Sequence, residues 1–416
     1  MGRRTPLYGW LTADAISLTG TRVSMIALPW FVLVTTGSAT KTGMVALAEM
    51  LPMVLLKVLG GPVIDRLGAR RVTVACDLGS TAVVGAIPLL HHTGQLTFGV
   101  FLGLVALAGA LRGPGDAAKH ALIPAIVAHA GVPTERATGL SGAVERGSSM
   151  VGAACAGLLI AAVGPANALV VDAASFGLSA LVLLVTTASL RPVAPDADDT
   201  TPAEPYREQL REGWRFLRRD RVLFGIAVMV ALTNLLDLSW VSVLLPVWAR
   251  DNGGGAAVIG LVLGVFAGAS MVGALCAAAW ADRLSRYRTY LVAFLITGLP
   301  RFVLFALDVP LWLVIGFCVV GGFASGFLNP VLGAVIFERI PAPLVGRVSS
   351  LITAMCFALM PLGGLLGGAL VTGLGLSWAM LAVGIAYFAV TMLPAVDPRW
   401  REMDRRPEPA AEPVSA

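Results

Sequence analysis

The chain has 416 residues, of which 57% are hydrophobic and only 13% charged, with a formal net charge of +5 and a mean hydropathy of +0.82. A soluble domain carries roughly a quarter charged residues, so this composition excludes a soluble globular protein and indicates a polytopic membrane protein. The positive charge is scattered over many short loops and gathers on no single face or tail, which excludes nucleic acid as a partner.

At the N-terminus, Arg3 and Arg4 precede an apolar run that superficially resembles a signal peptide. The run is too long, holds Asp14 and Arg22, and lacks a small-residue cleavage site, so it reads as a first membrane span. At roughly 20 apolar residues per crossing, the first half predicts spans at about 8–34, 42–64, 72–90, 96–111, 138–163 and 166–189. The second half predicts spans at about 222–249, 257–281, 289–307, 311–327, 348–373 and 377–394. The expected fold is therefore all-α, with 12 transmembrane helices in two six-helix bundles, at residues 1–190 and 222–396. Between them, residues 191–221 form a cytoplasmic linker. Its Pro- and Asp-rich first part reads as disordered. Its second part, REQLREGWRFLRRDR, reads as an amphipathic surface helix with Leu210, Trp214 and Leu217 on one side. Residues 397–416 read as a disordered cytoplasmic tail.

Loop charge sets the orientation. With the N-terminus in the cytoplasm, about two dozen of the 30 Lys and Arg fall inside, and Lys41 and Arg250 stand outside. Both termini are then cytoplasmic, in a bacterial cytoplasmic membrane. The cysteines at 76, 155, 276, 318 and 356 are unclustered within apolar runs, and His91-His92 reads as a solvated loop pair. No metal or cofactor is expected. No constellation of catalytic side chains falls on the inner spans, so an enzyme is not expected either.

The halves repeat. Leu28-Pro29 recurs as Leu245-Pro246, Gly43 as Gly260, and Asp65-Arg66-Leu67 as Asp282-Arg283-Leu284, all at one constant offset. Arg136 matches Arg347 at a slightly smaller offset. Two parallel six-helix halves suit a transporter working about a central axis.

These residues resemble the major facilitator superfamily. The loop Gly61-Pro-Val-Ile-Asp65-Arg66-Leu-Gly68-Ala-Arg70-Arg71 is similar to its signature G-x-x-x-D-R-x-G-x-R-[RK], and AWADRLSRYR is a weaker second copy. The stretches ALPWFVLVTTGSATKTG, VDAASF, GWRFLRRDRVL and IPAPLVGRVSSL resemble the branch of enterobactin-type siderophore exporters and macrolide efflux pumps. The antiporter pattern G-x-x-x-G-P-x-x-G is matched only partly, with Ala153 in place of the proline. Arg112 sits at the inner end of the predicted fourth span. The resemblance implies that spans 1, 2, 4, 5, 7, 8, 10 and 11 line a central cavity.

Ionisable groups within spans are costly and generally face a polar pathway or a partner. Here Asp14 and Arg22 lie on the first span, Glu49 and Lys57 on the second, Glu145 and Arg146 on the fifth, and Asp237 on the seventh, one turn after Asn234. The outer spans hold only Asp77, Asp172 and Arg301, read as lying near helix ends. In an antiparallel hairpin, residues at equal height share one index sum. That condition holds for Asp14 with Lys57 and for Arg22 with Glu49, about a turn beside Gly37. It predicts two interhelical ion pairs, Arg22–Glu49 near mid-membrane and Asp14–Lys57 about 12 Å nearer the cytoplasm. These pairs are either structural or part of a proton or substrate pathway. Asp237, alone at mid-membrane, suits a proton carrier.

In the loop after the second span, Arg66, Arg70 and Arg71 anchor the inner face. Asp65 does not help orientation, and its recurrence at Asp282, beside Arg283, reads as a gate that bridges the halves by charge-assisted hydrogen bonds. Gly61 and Gly68 permit the tight turn. The expectation is a secondary transporter, working as a monomer, that exports a small amphipathic drug, antibiotic or siderophore by proton antiport and alternating access. The alternative is an importer of a nutrient or metabolite on the same fold.

Overall fold

The computed structural model describes residues 3–188, 190, 206–280, 283, 285–341 and 344–404. The first part of the linker, Asp282 and the tail beyond 404 lie outside the described residues.

The described chain contains 12 helices long and apolar enough to cross a membrane. They are α1 (Thr5–Thr36), α2 (Ala39–Leu59), α3 (Ala69–His92), α4 (Phe98–Ala130), α5 (Arg136–Val163), α6 (Pro165–Thr186), α7 (Arg221–Asp251), α8 (Gly255–Ala279), α9 (Arg286–Ala306), α10 (Leu311–Arg339), α11 (Val345–Leu374) and α12 (Leu376–Val396). Local chemistry explains their ends. Pro6 opens α1, and Gly37 ends it in the left-handed region at φ 66°, donating its N–H to Leu33 O. Ser38 then caps α2 by accepting from Lys41 N. The connection is therefore only two residues long.

Two spans run further than their sequence predicts. The fourth does not stop at residue 111: α4 continues through Arg112 and Pro114 to Ala130, with a single irregular residue at Leu122. Gly-Pro-Gly at 113–115 looks like a stop signal, yet Gly113 lies against Met53 O of α2, and α4 follows α2 closely. The tenth resumes after a break at Gly326-Phe327 and runs on to Arg339.

Packing follows one plan twice. In the first half α1 packs on α5 and α6, α2 on α4, and α3 on α4 and α6. In the second half α7 packs on α11 and α12, α8 on α10, and α9 on α10 and α12. Adding six to each helix number converts one set into the other. The halves meet through α5 on α8 and α2 on α11, which are themselves equivalent under the same operation.

Those contacts gather at one end of the molecule, the end of the α1–α2 and α7–α8 connections. A Cβ on Gly43 would come within 2.2 Å of Gly364 O, and one on Gly260 within 2.6 Å of Gly157 Cα. These are the two glycines related by the internal repeat, so the repeat marks the close crossings between halves. Thr40 and Thr372 share a hydrogen bond of 2.9 Å there, and Arg250 Nη1 donates to Gly37 O at 3.2 Å.

The second half contains more interrupted helices. In α7 a π-helical turn at Trp240–Leu244 precedes Pro246, which has no N–H to continue the ladder. α9 breaks at Gly298 before Pro300, and α11 passes through a 3₁₀ turn at Met360–Leu362.

Two flanking segments pack on the second half. The linker helix spans Tyr206–Arg219, and its Leu217 is buried against Leu223 and Ile352. The start of the tail is ordered: Pro398–Asp404 forms a 3₁₀ turn, with Trp400 buried beside Tyr290 and Met403 buried too. The apolar residues of RWREMD complete the core under α9, and Asp404 caps that helix through Ser285 and Tyr287 N.

Candidate functional site

The two predicted hairpin ion pairs do not form. α1 and α2 are adjacent in sequence but splay apart: α1 turns to α5 and α6, while α2 turns to α4 and to α11. Equal height along a hairpin brings side chains together only when the two helices pack face to face, so the index rule selected the wrong partners. The turn also lies at Gly37-Ser38, beyond the position the rule required.

Glu49 pairs instead with Arg112 of α4, Nη1 to Oε1 at 2.7 Å, and both side chains are buried. A Cβ on Gly109 of α4 would come within 2.0 Å of Glu49 O, so the helices touch here and bring the two groups into register. Arg112 also feels Asp172 of α6, whose carboxylate accepts from Ser24 of α1 and from Ser175. One guanidinium thus pairs with Glu49 and lies in the field of a second buried carboxylate. A second buried group lies beside it. Lys119 Nζ is 3.3 Å from Asp77 of α3 and donates to Ser17 of α1 at 2.8 Å, and Ser179 of α6 donates to the same aspartate at 2.7 Å. Asp14 is buried on α1 and has Lys119, not Lys57, as its strongest charge partner. Lys57 is exposed and lies over the Phe357 ring of α11, 5.9 Å from its centroid.

Arg22 donates to Ser149 Oγ of α5 at 2.6 Å and to Met25 Sδ at 3.2 Å, while its buried Nε has no partner among the described residues. Ser149, with Glu145 and Arg146, lines a cavity of about 500 Å³ between α5, α8 and α10. Phe266, Met271 and Asn329 form part of its other walls. Arg22 feels the opposite charge of Glu145 and the like charge of Arg112. Arg22 thus reaches the cavity wall through Ser149, which Glu145 and Arg146 line with it.

In the second half, Asp237 is not alone. Arg301 Nη2 meets its Oδ1 at 2.6 Å, and the guanidinium is packed over Phe302, Trp240 and Tyr387 at 4.5, 4.7 and 5.2 Å from their ring centres. The break at Gly298 and the π-turn at Trp240 place these groups. The Arg301 side chain is only 8% exposed, whereas that of Asp237 is 42% exposed. Asn234 uses its amide to hold α11, donating to Cys356 O at 3.0 Å.

The profile of the transmembrane secretion effectors matches residues 5–413. The chain belongs to this family, a branch of the major facilitator superfamily. It is thus a transporter and not an enzyme, a multi-pass protein of the bacterial inner membrane. This secretion-effector chain is 32% identical to the multidrug efflux pump Tap of Mycobacterium tuberculosis (strain ATCC 25618 / H37Rv) over 408 residues, covering 97% of this chain and 96% of Tap. It is 23% identical to macrolide efflux protein A of Streptococcus pyogenes over 408 residues, covering 95% and 97% of the two chains. Its fold is shared with the nucleoside transporter NupG at a TM-score of 0.70 and 16% identity, over 93% of this chain and 97% of that one. It is also shared with a bacterial homologue of the human lysosomal transporter Spinster, solved inward-facing, at 0.69 and 13% identity over 98% and 99%.

In this major facilitator chain the signature loop stands at the end opposite the sealed one. Asp65, Arg66 and Arg71 are exposed there, and Asp65 has no hydrogen-bonding or ionic partner among the described residues. Arg70 is tied within its own half, donating to Thr187 Oγ1 at 3.0 Å and Leu184 O at 2.9 Å. Gly68, at φ 85°, supplies the left-handed residue that ends the short helix Gly61–Leu67, and Gly61 lies in open space. Arg283 is exposed.

The groups that the sequence reading left outside the pathway were Arg112, Lys119, Asp77, Asp172 and Arg301. Asp77, Asp172 and Arg301 are not isolated at helix ends but buried partners of groups on neighbouring helices. A usable signal existed for Lys119, one of only three lysines in the chain. Arg301 had another, since it follows a Gly-Leu-Pro helix break.

Proposed function

We propose that this chain exports small amphipathic molecules of the drug, antibiotic or siderophore class from the cytoplasm by alternating access, in exchange for protons. The observation that carries this reading is the buried Glu49–Arg112 pair, with Arg22 hydrogen-bonded to Ser149 on the wall of a cavity that Glu145 also lines. Support comes from the relatives named as a multidrug efflux pump and a macrolide efflux protein. Both termini lie in the cytoplasm by the loop charges, so the sealed end faces outward and the cavity opens inward.

In this arrangement a cationic or amphipathic substrate enters from the cytoplasm against Glu145, Phe266 and Met271. Protonation of Glu49 removes its attraction for Arg112, leaving that guanidinium to Asp172, and the rearrangement shifts α2 against α4 and α11. Because α2 forms one of the two seals between halves, its movement links proton binding to opening of the outer end. When the inner end closes, Asp65 bridges toward the second half, a role that the sequence repeat extends to Asp282. Asp237–Arg301 is a second charged pair, on α7 and α9, for the same cycle.

Everted membrane vesicles energised to be acidic inside, and loaded externally with a fluorescent cationic drug, test the direction. Accumulation inside the vesicles that a protonophore abolishes is the expected result. Loss of preloaded drug on energisation would identify an importer.

A further inference from the structure

At the end of the molecule that carries the α2–α3 loop, four arginines frame a pocket of about 650 Å³ that the transport cycle leaves unused. Arg219 comes from the last residue of the linker helix, Arg221 from the start of α7, Arg339 from the end of α10, and Arg399 from the turn after α12. Two carboxylates, Asp220 and Glu402, complete the charged lining.

Both carboxylates are already taken. Asp220 accepts from Arg339 Nε at 2.8 Å and Nη2 at 3.2 Å, and also caps α7 by accepting from Val222 N and Leu223 N. Glu402 accepts from Arg339 Nη2 at 3.3 Å. Arg219, Arg221 and Arg399 have no acidic partner among the described residues. The Asp220–Arg339–Glu402 bridge fixes the walls of the pocket and, among the described residues, leaves three guanidiniums without an acidic partner around one space.

Its position restricts what can fill that space. Arg221 begins one span, Arg339 ends another, and α12 ends at Val396 just before Arg399. The pocket therefore lies where three spans leave the apolar layer, at the depth of lipid headgroups. Basic pockets at that depth recognise phosphate-bearing headgroups, and the planar guanidinium fork matches phosphate oxygens two at a time. Arginines that serve only to orient the chain have no need to face a common cavity.

We propose that this pocket binds the phosphate group of an anionic lipid headgroup and thereby braces the linker helix against α7, α10 and the C-terminal turn. Free phosphate carries the same chemistry, so the test must separate the two sources.

The test uses the full chain, delipidated in detergent, and follows binding by native mass spectrometry with phosphatidylglycerol, with phosphatidylcholine, and with phosphatidylglycerol plus millimolar inorganic phosphate. The unaltered protein is expected to prefer phosphatidylglycerol by about tenfold. The triple variant Arg219→Gln, Arg221→Gln, Arg399→Gln should lose that preference. A control variant, Arg66→Gln with Arg71→Gln, exposed at the same end but outside the pocket, should keep it. Phosphatidylglycerol binding unchanged by inorganic phosphate supports the lipid source, and displacement by phosphate overturns it. A triple variant that keeps the tenfold preference overturns the pocket itself, as does an unaltered protein with no preference. Should the triple variant fail to fold, Arg399→Gln alone, in an exposed turn, is expected to show a several-fold loss, and an unchanged preference there overturns the proposal equally.

Discussion

In the middle of its spans, the first half of the molecule interlocks its charge, whereas the second half isolates it. Between α1, α2, α3, α4 and α6, Arg112 pairs with Glu49 in the field of Asp172, and Lys119 pairs with Asp77, in positions closed to solvent. In the second half the mid-span pair Asp237–Arg301 sits at a helix break, with its cation boxed by rings and its carboxylate 42% exposed. The pairing of helices is the same in both halves, so fold symmetry does not require chemical symmetry. What differs is how much a lost charge costs. A fully enclosed partner has nowhere to turn, while a partly exposed one can be hydrated.

That contrast predicts a ranking. Arg112→Met leaves Glu49 and Asp172 buried without their cation and should destabilise the protein by roughly 3–5 kcal/mol, read as a lowered melting temperature in detergent and loss of transport. The double change Glu49→Gln with Arg112→Gln should recover the part of that loss owed to Glu49, because a neutral pair needs no compensation, and should leave transport uncoupled. Arg301→Met should cost less, roughly 1–3 kcal/mol, since Asp237 can take up water when its donor is removed. Equal losses for Arg112 and Arg301 would erase the distinction between halves.

The seal between halves offers an effect of similar size but different kind. Gly43→Val and Gly260→Val each drive a side chain into the facing backbone, at an overpacking cost of roughly 1–3 kcal/mol. Cysteines placed at Thr40 and Thr372 should then react faster with a membrane-impermeant thiol reagent added outside, because the outer end no longer closes. The smallest effect belongs to Lys57, whose contact with Phe357 crosses the halves at an exposed site. Lys57→Met should change stability by about 0.5–1 kcal/mol and leave the proton dependence of transport intact.

Much of the fold was legible in sequence for plain reasons. Hydropathy marks spans because the bilayer demands about 20 apolar residues from each. The recurrence of Gly43 at Gly260 marked the helix crossings because only glycine permits backbones to touch there. Charge positions were legible too: Glu145 and Arg146 line the cavity, and Arg22 reaches its wall through Ser149. Partners were not legible, because α1 and α2 are neighbours in the chain but not in the packing. Glu49 thus found Arg112, a residue hidden by the Gly-Pro-Gly that follows it in α4. Trp400 was missed because six residues of mixed charge mask the two apolar side chains that fasten the tail.

The central claim is that proton exchange acts at the Glu49–Arg112 pair while a drug leaves the cytoplasm. The direct measurement follows lumenal pH in proteoliposomes as an exported compound is added, for the unaltered protein and for Glu49→Gln with Arg112→Gln. The account predicts a substrate-dependent pH change in the first and none in the second, with substrate still bound by both. A double variant that moves protons with substrate as the unaltered protein does, or an unaltered protein that exports without any pH change, would contradict it.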